Sequence, residues 1–331
     1  MSTRNTFLLF ALLLAIAIIG LRSLGKDTPK EFRRTRILMD TVVEITVTDA
    51  GGAPLPQVVD KAFDEMARIE QLTSLFREGS DVARINAQRE TEVSPETAEI
   101  VSLGLEVSRA SGGAFDMTLG RLKMLWPMDG TQKVVPSSEA IRTALVGSGM
   151  DAIALRNGQV CRHFAETMLD LGGIAKGYAI DRAYETLKAA GVRQAAVNAG
   201  GDLRLLGGHG EKPWRIAIQH PRKPGGIVGA LALRDVAVVT SGDYERFFEL
   251  DGVRYHHLFD PHTGWPARAS QSATVVAPSA ALADALATAA FVLGPQKGIE
   301  LLEKTPDAEG LIIGADGKVY RTAGLERAWE P

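Results

Sequence analysis

Cysteine is nearly missing from this chain: Cys161 is the only one in 331 residues. No intramolecular disulfide can form, and no cysteine cluster can hold zinc or an iron–sulfur centre. Flanked by Val160 and Arg162, the thiol reads as an ordinary packed side chain rather than a nucleophile. A surplus of positive charge is missing as well. Against 40 acidic residues stand 37 basic ones, a net charge of -3, which argues against nucleic acid as a partner. From residue 35 onward there is no internal repeat and no low-complexity linker. What remains is ordinary for a globular body, 45% hydrophobic and 23% charged, and long enough to bury a sizeable core.

The one long apolar run comes first. Arg4 precedes an uncharged stretch from Asn5 to Leu21, solidly apolar from Phe7 to Ile19, and Arg22, Lys26, Lys30, Arg33 and Arg34 follow. A basic residue, an apolar run and a polar exit describe a secretory signal or an uncleaved anchor over 1–29, with the globular body at 30–331. The run is shorter than the ~20 residues of a comfortable span, which snorkelling arginines can offset. Ser23-Leu24-Gly25 is a poor cleavage site, and no cysteine near position 20 can accept a lipid. An anchor is therefore favoured over cleavage, with the body on the far side of the membrane from the cytoplasm.

Periodicity outlines the rest. Ile37 to Thr48 alternates as a strand, and Val58, Phe63, Met66, Ile69, Leu72 and Phe76 recur at helical spacing, predicting a helix over 57–78. A second helix starts at Pro95 and ends near Gly112-Gly113. Thr167 to Leu171 reads as a strand and Ile174 to Ala190 as a helix closed by Gly191. Ala195 to Val197 and Leu203 to Leu206 read as strands around a glycine turn, and Val236 to Thr240 as another. Asp251-Gly252 marks a hairpin. Ala273 to Ala277 is the last clear strand, and Ala280 to Leu293 a helix stopped by Gly294. Hairpins mixed with helices predict an α+β fold rather than a doubly wound parallel sheet.

Chemistry concentrates in a few stretches. In Asp170-Leu171-Gly172-Gly173-Ile174-Ala175-Lys176-Gly177 a strand delivers a carboxylate, two glycines turn, and a helix begins. Bare backbone and a helix N-terminus suit anionic oxygens, and Lys176 adds a positive charge; the bland alternative is a plain β-turn-α connection with a surface lysine. No Walker loop is present. Asp284 and Thr288 lie four apart in an otherwise apolar helix, so their oxygens share one face. They either hold a hard cation such as Mg²⁺, or Asp284 is merely polar and Thr288 bonds back to its own turn. His256 and His257, adjacent near a strand end, face opposite ways and cannot share a role. With His262 and Asp260 they converge too poorly for zinc. Asn198 to Asp202 and Thr240 to Tyr244 are further glycine turns with polar side chains. Together these turns suggest one nucleotide pocket.

Taken in register, the chain closely resembles the ApbE family of FAD:protein FMN transferases. The resemblance spans residues 36 to 295 through Met39-Asp40-Thr41, Ser74 to Phe76, Ser80 to Asn86, Gly113 to Thr118 and Asp170 to Gly177. It continues through Asn198 to Asp202, Ser241 to Arg246, His257 to Gly264 and Asp284 to Thr288. It implies a T-fold-like α+β body, FAD in a cleft and Mg²⁺ at its pyrophosphate. It implies Asp284, Thr288 and the Gly173 carbonyl as metal ligands. Met39, Phe76, Ala114, Phe115, Asp116, Asp170, Lys176 and Leu258 match positions lining the FAD site, and His257 matches the proposed base. Asp284, His257 and Lys176 are thus the expected catalytic residues. Asp40 departs from the family's usual glycine and Met117 from its usual proline.

The activity implied is Mg²⁺-dependent transfer of FMN from FAD to a threonine or serine hydroxyl, releasing AMP. The acceptors implied carry Asp-x-x-Ser/Thr-Gly-Ala-Thr, as in Nqr-, Rnf- or Nos-type membrane redox subunits. The expected location is the periplasmic side of the bacterial inner membrane. Two alternatives are an FAD pyrophosphatase that gives FMN and AMP, and a non-catalytic FAD-binding protein.

Overall fold

Alternation of apolar and polar residues in Val43 to Val47 builds a strand that buries Val43, Ile45 and Val47 on one face, and seven more strands join it. They are β1 (Phe32–Leu38), β2 (Thr41–Asp49), β3 (Gln194–Ala199), β4 (Asp202–Leu206), β5 (Ala237–Gly242), β6 (Ser270–Ala277), β7 (Glu309–Gly314) and β8 (Val319–Arg321). All pairings are antiparallel, and each strand neighbours the sheet members before and after it in the chain. The computed structural model describes residues 31–128 and 133–330. The apolar segment expected at 1–29 lies outside the described residues. Among the described residues no helix is long and apolar enough to cross a membrane.

Four long helices cover one face: α1 (Leu55–Thr73), α2 (Pro95–Ala110), α3 (Ala175–Ala189) and α4 (Ala280–Lys304). Their apolar stripes meet β2, β3, β5 and β6 in the main core, with Phe63, Met66, Ile180, Leu187 and Phe291 fully buried beside Val43 and Ile45. The opposite face is covered by a three-stranded sheet of Trp214–Gln219, Ile227–Leu233 and Trp329–Glu330. There Leu205, Val238, Leu311 and Ile313 meet Ile218 and Leu231. Packed on both faces, β6 is buried at every residue except Gln271, its Ser270, Ser272 and Thr274 included. A third cluster, around Trp126, Ile141 and Phe259, fastens the hairpin Phe247–Leu250/Val253–His256 to the body. The architecture is mixed α+β, as expected.

Several boundaries differ from the sequence pattern. The single strand expected over Ile37 to Thr48 is two, because Met39 (φ 52°) and Asp40 (φ 57°) form a tight left-handed turn. Asp tolerates that region, where the family's glycine would carry no strain, so no Asn-Gly signal marked the hairpin. Helix α1 ends at Thr73, short of Phe76. Thr167 to Leu171 is extended but joins no sheet; Met168 makes one bridge to Leu119. Gly294 (φ 78°) does interrupt the last helix, yet Pro295 restarts it at once and it runs on to Lys304.

Candidate active site

Three turns gather at one end of the sheet: Met39-Asp40 between β1 and β2, Gly200-Gly201 between β3 and β4, and the end of β5 at Gly242. The Gly200 N–H donates to the Val42 carbonyl (3.0 Å), and the Gly200 Cα sits so close to Thr41 that a Cβ would collide with its hydroxyl. The Thr240 N–H donates to Asp202 Oδ1 (3.1 Å), tying β5 to the glycine turn. Against this end pack the start of α3 and the first half of α4. Asp181 of α3 accepts from the Ala280 and Ala281 N–H groups (2.8 and 2.9 Å), capping α4. Its register against α3 is thereby set.

That register carries Asp284 to the start of α3. The Gly177 N–H donates to Asp284 Oδ2 (3.1 Å). Burial pushes the Asp284 carboxyl well above the usual carboxylate range, while the Lys176 charge pulls it down. One turn along, Thr288 Oγ1 meets Ser241 Oγ at 3.3 Å. Its hydroxyl is thus engaged with the end of β5, not with its own helical turn. Gly173 lies beside it, since a Cβ there would stand 3.6 Å from Thr288 Oγ1 and 3.2 Å from the Phe115 ring. The structure therefore brings Gly173, Asp284 and Thr288 together, with Ser241 as a neighbour the spacing argument did not single out.

Lys176 is paired: its Nζ lies 2.5 Å from Asp202 Oδ2. Burial by itself would lower the ammonium's pKa, but the charges of Asp202 and Asp284 more than offset it and hold Lys176 charged. Its charge is also felt at Glu245, whose carboxyl burial pushes up. Lys176 thus sits within the electrostatic reach of three carboxylates, Asp202, Asp284 and Glu245. Asp170 is paired too, accepting from Lys123 Nζ through both oxygens (2.8 and 2.9 Å), a partner that sequence reasoning missed. The Asp170 N–H donates to the Met117 carbonyl (2.8 Å), which joins the Gly113 to Thr118 loop to the glycine turn. Met117 buries its sulfur on Gly104 of α2, so the departure from proline is absorbed in the core.

Elsewhere in that loop Ala114 and Phe115 are buried, and Asp116 Oδ1 accepts from the Thr118 N–H (2.7 Å) and hydroxyl (2.6 Å). Burial raises the Asp116 carboxyl against those bonds. Leu258 is buried next to the histidines, and Met39 sits in the hairpin turn near Gly200. Phe76, 71% exposed, lies beyond the end of α1 and is not held against these groups. The only sequence signal for Phe76 was the resemblance itself.

His256 and His257 do diverge. His256 is buried, donates from Nε2 to the Ala267 carbonyl (2.8 Å) and accepts the Leu258 N–H at Nδ1 (3.3 Å). For His257 both the backbone N–H (3.1 Å) and Nδ1 (3.2 Å) lie on the Arg246 carbonyl. A carbonyl only accepts, so Nδ1 carries the proton and Nε2 keeps its lone pair. Burial lowers the imidazole pKa to about 3, with the Lys176 charge adding to the effect, so the ring is neutral near pH 7. Among the described residues no group of three or more His, Cys, Asp or Glu side chains is placed to hold a metal ion. Two surface depressions, one beside Lys61, Arg68 and Arg182 and one beside Arg109, Met150 and His163, contain none of the residues above.

Comparison with known proteins places this arrangement. A sequence profile described as the ApbE family matches residues 39–312. The chain is 34% identical to the FAD:protein FMN transferase of Treponema pallidum (strain Nichols), over 91% of this chain and 89% of that protein. It is 32% identical to the protein of that name from Rhodobacter capsulatus, over 94% of this chain and 60% of the relative. The crystal structure of the ApbE protein from Thermotoga maritima superimposes with a TM-score of 0.84 at 34% identity, covering 91% of this chain and 100% of that one. Flavin Transferase ApbE from Vibrio cholerae gives 0.80 at 28%, covering 90% and 99%. The fold is thus one shared, nearly end to end, with solved flavin transferases. The chain belongs to the ApbE family.

Proposed function

We propose that this protein is a transferase that moves FMN from FAD to a serine or threonine hydroxyl of an acceptor protein, releasing AMP. The observation that carries the reading is the meeting of the buried Asp284 carboxylate, the Thr288 hydroxyl and Gly173 at the start of α3. These oxygen donors fit a hard cation: a buried carboxylate needs a charge partner, and the Thr288 hydroxyl is turned away from its own helix. Asp284, Thr288 and the Gly173 carbonyl would hold Mg²⁺. When bound there, the ion supplies neutralisation for the diphosphate of FAD.

The chain's own groups account for the rest. Lys176, fixed by Asp202, supplies a placed positive charge beside the diphosphate. Met39, Ala114, Phe115, Asp116, Asp170 and Leu258 line the FAD site in this reading, while Phe76 stands exposed beyond the end of α1. His257 accepts the proton of the acceptor hydroxyl at Nε2. The hydroxyl oxygen then bonds to the FMN phosphorus, the P–O bond to the AMP phosphate breaks, and AMP leaves with that oxygen. Hydrolysis of FAD would use water in place of the hydroxyl. The body is read as T-fold-like, over 30–331. Residues 1–29 are read as the signal or anchor that puts it on the periplasmic side of the inner membrane. The acceptors are read as Nqr-, Rnf- or Nos-type membrane subunits.

Incubating the protein with FAD, Mg²⁺ and an acceptor bearing Asp-x-x-Ser/Thr-Gly-Ala-Thr tests the reading. A fluorescent acceptor band on a denaturing gel, lost with chelator, is the expected result. AMP release with an unlabelled acceptor would replace transfer by hydrolysis.

A further inference from the structure

Resting on the reading of His257 as the base is a question the catalytic residues leave open: what holds the Arg246 carbonyl that sets its proton? Arg246 ends a turn that leaves β5 at Asp243. That aspartate is buried, and its N–H donates to the Gln271 carbonyl (3.1 Å). Its carboxylate is clamped. Arg222 approaches fork on fork, Nη1 at 2.7 Å from Oδ1 and Nη2 at 2.5 Å from Oδ2. Arg254 Nη1 lies 3.5 Å from Oδ1 on the other side. Arg222 comes from the loop joining strands Trp214–Gln219 and Ile227–Leu233 of the second sheet, where its N–H donates to His220 Nδ1 (3.1 Å). Arg254 sits in the hairpin strand that leads into His257, stacked over Phe247 at 4.1 Å. Asp243 therefore joins the turn bearing the Arg246 carbonyl to a loop of the second sheet and to the strand bearing the histidine.

We infer that Arg222 is a positioning residue for the base: through Asp243 it holds the Arg246 carbonyl on His257 Nδ1, which keeps the Nε2 lone pair free. Without the clamp the turn loses its partner, the carbonyl drifts, and the imidazole can carry its proton on Nε2 instead. A base protonated at the reacting nitrogen cannot take the acceptor's proton.

The test reads the proton directly. In protein labelled with ¹⁵N-histidine only six side chains report, and two-bond ¹H–¹⁵N correlations distinguish the tautomers. In the wild type His257 is expected as Nδ1–H and its neighbour His256 as Nε2–H, an internal reference of opposite pattern. In Arg222→Met, His257 should shift toward Nε2–H while His256 stays. Transfer kcat should fall roughly tenfold to a hundredfold with KM for FAD within about twofold. Arg222→Lys, which keeps the charge without the fork, should recover part of both. Should Arg222→Met fail to fold, Arg222→Gln is read by the same two patterns. An unchanged His257 pattern with wild-type kcat overturns the inference, and so does a loss in which the His256 pattern collapses too. The tautomer reading needs neither FAD nor acceptor. An unlabelled acceptor with wild-type enzyme would sink the transferase reading and leave the tautomer result standing.

Discussion

Alternation along the strand Val253–His256 sends neighbouring histidines into different surroundings, and the consequence for His256 can be measured. Its Nε2–H and its Nδ1 lone pair are both committed, and burial lowers its pKa to about 4 from the ordinary 6.5. Between those values the unfolded chain binds a proton that the folded chain refuses. Stability is therefore full above about pH 6.5 and is lost as pH falls toward 4. The linkage is on the order of 3 kcal/mol, at ~1.4 kcal/mol per unit. Urea denaturation at pH 7.5 and 4.5 should show a smaller acid loss in His256→Gln than in the wild type; equal losses would refute it. Asp284 gives the opposite sign, because burial raises its carboxyl. Without metal its charge opposes folding near neutral pH, so Asp284→Asn should raise the Tm of the metal-free protein. The same variant should lose Mg²⁺-dependent labelling by at least about a hundredfold. Labelling within tenfold of wild type would refute the metal role.

At the scale of elements, the decisive contact is the crossing of α3 and α4. Both helices were legible from periodicity, and the i, i+4 spacing of Asp284 and Thr288 correctly put both on one face. The neighbours of that face were not legible, because Ser241 and Gly177 lie 47 and 107 residues away and only packing brings them near. Gly177 makes the approach possible: a Cβ there would collide with the Ala280 carbonyl. Gly177→Ala should cost about 1–3 kcal/mol, as overpacking does, and weaken Mg²⁺ binding along with it by pushing Asp284 away from the start of α3. Thermal unfolding and metal titration check both; a neutral substitution would mean the helices can part freely. The Met39-Asp40 turn was illegible for a different reason. It carries Asp40 but no glycine, and the alternation runs across it as though one strand continued.

For the whole molecule, the sheet follows chain order and its strands β3 to β7 are packed on both faces, so the Gly200-Gly201 turn and the end of β5 stand between two cores. Those turns and the start of α3 come from regions far apart in sequence, and a ligand spanning them cross-links the fold. FAD with Mg²⁺ together should raise Tm above either alone, the stabilisation reaching ~2.7 kcal/mol at a hundredfold excess over Kd. EDTA should remove the increment and Asp284→Asn should never show it. An equal shift with FAD alone would separate the nucleotide from the metal.

The amino-acid sequence alone determined the α+β class, the helices and glycine turns, the family, and the residue types able to grip a hard cation. Those features depend on local period and on ordered motifs, which survive in one dimension. Tertiary structure decided the partners: Asp202 for Lys176, Lys123 for Asp170, Ser241 for Thr288 and the Arg246 carbonyl for His257. A hydrogen bond or a buried charge acquires its meaning from what lies a few ångströms away. That distance is set by how the sheet end and two helices close on one another, which no local pattern encodes.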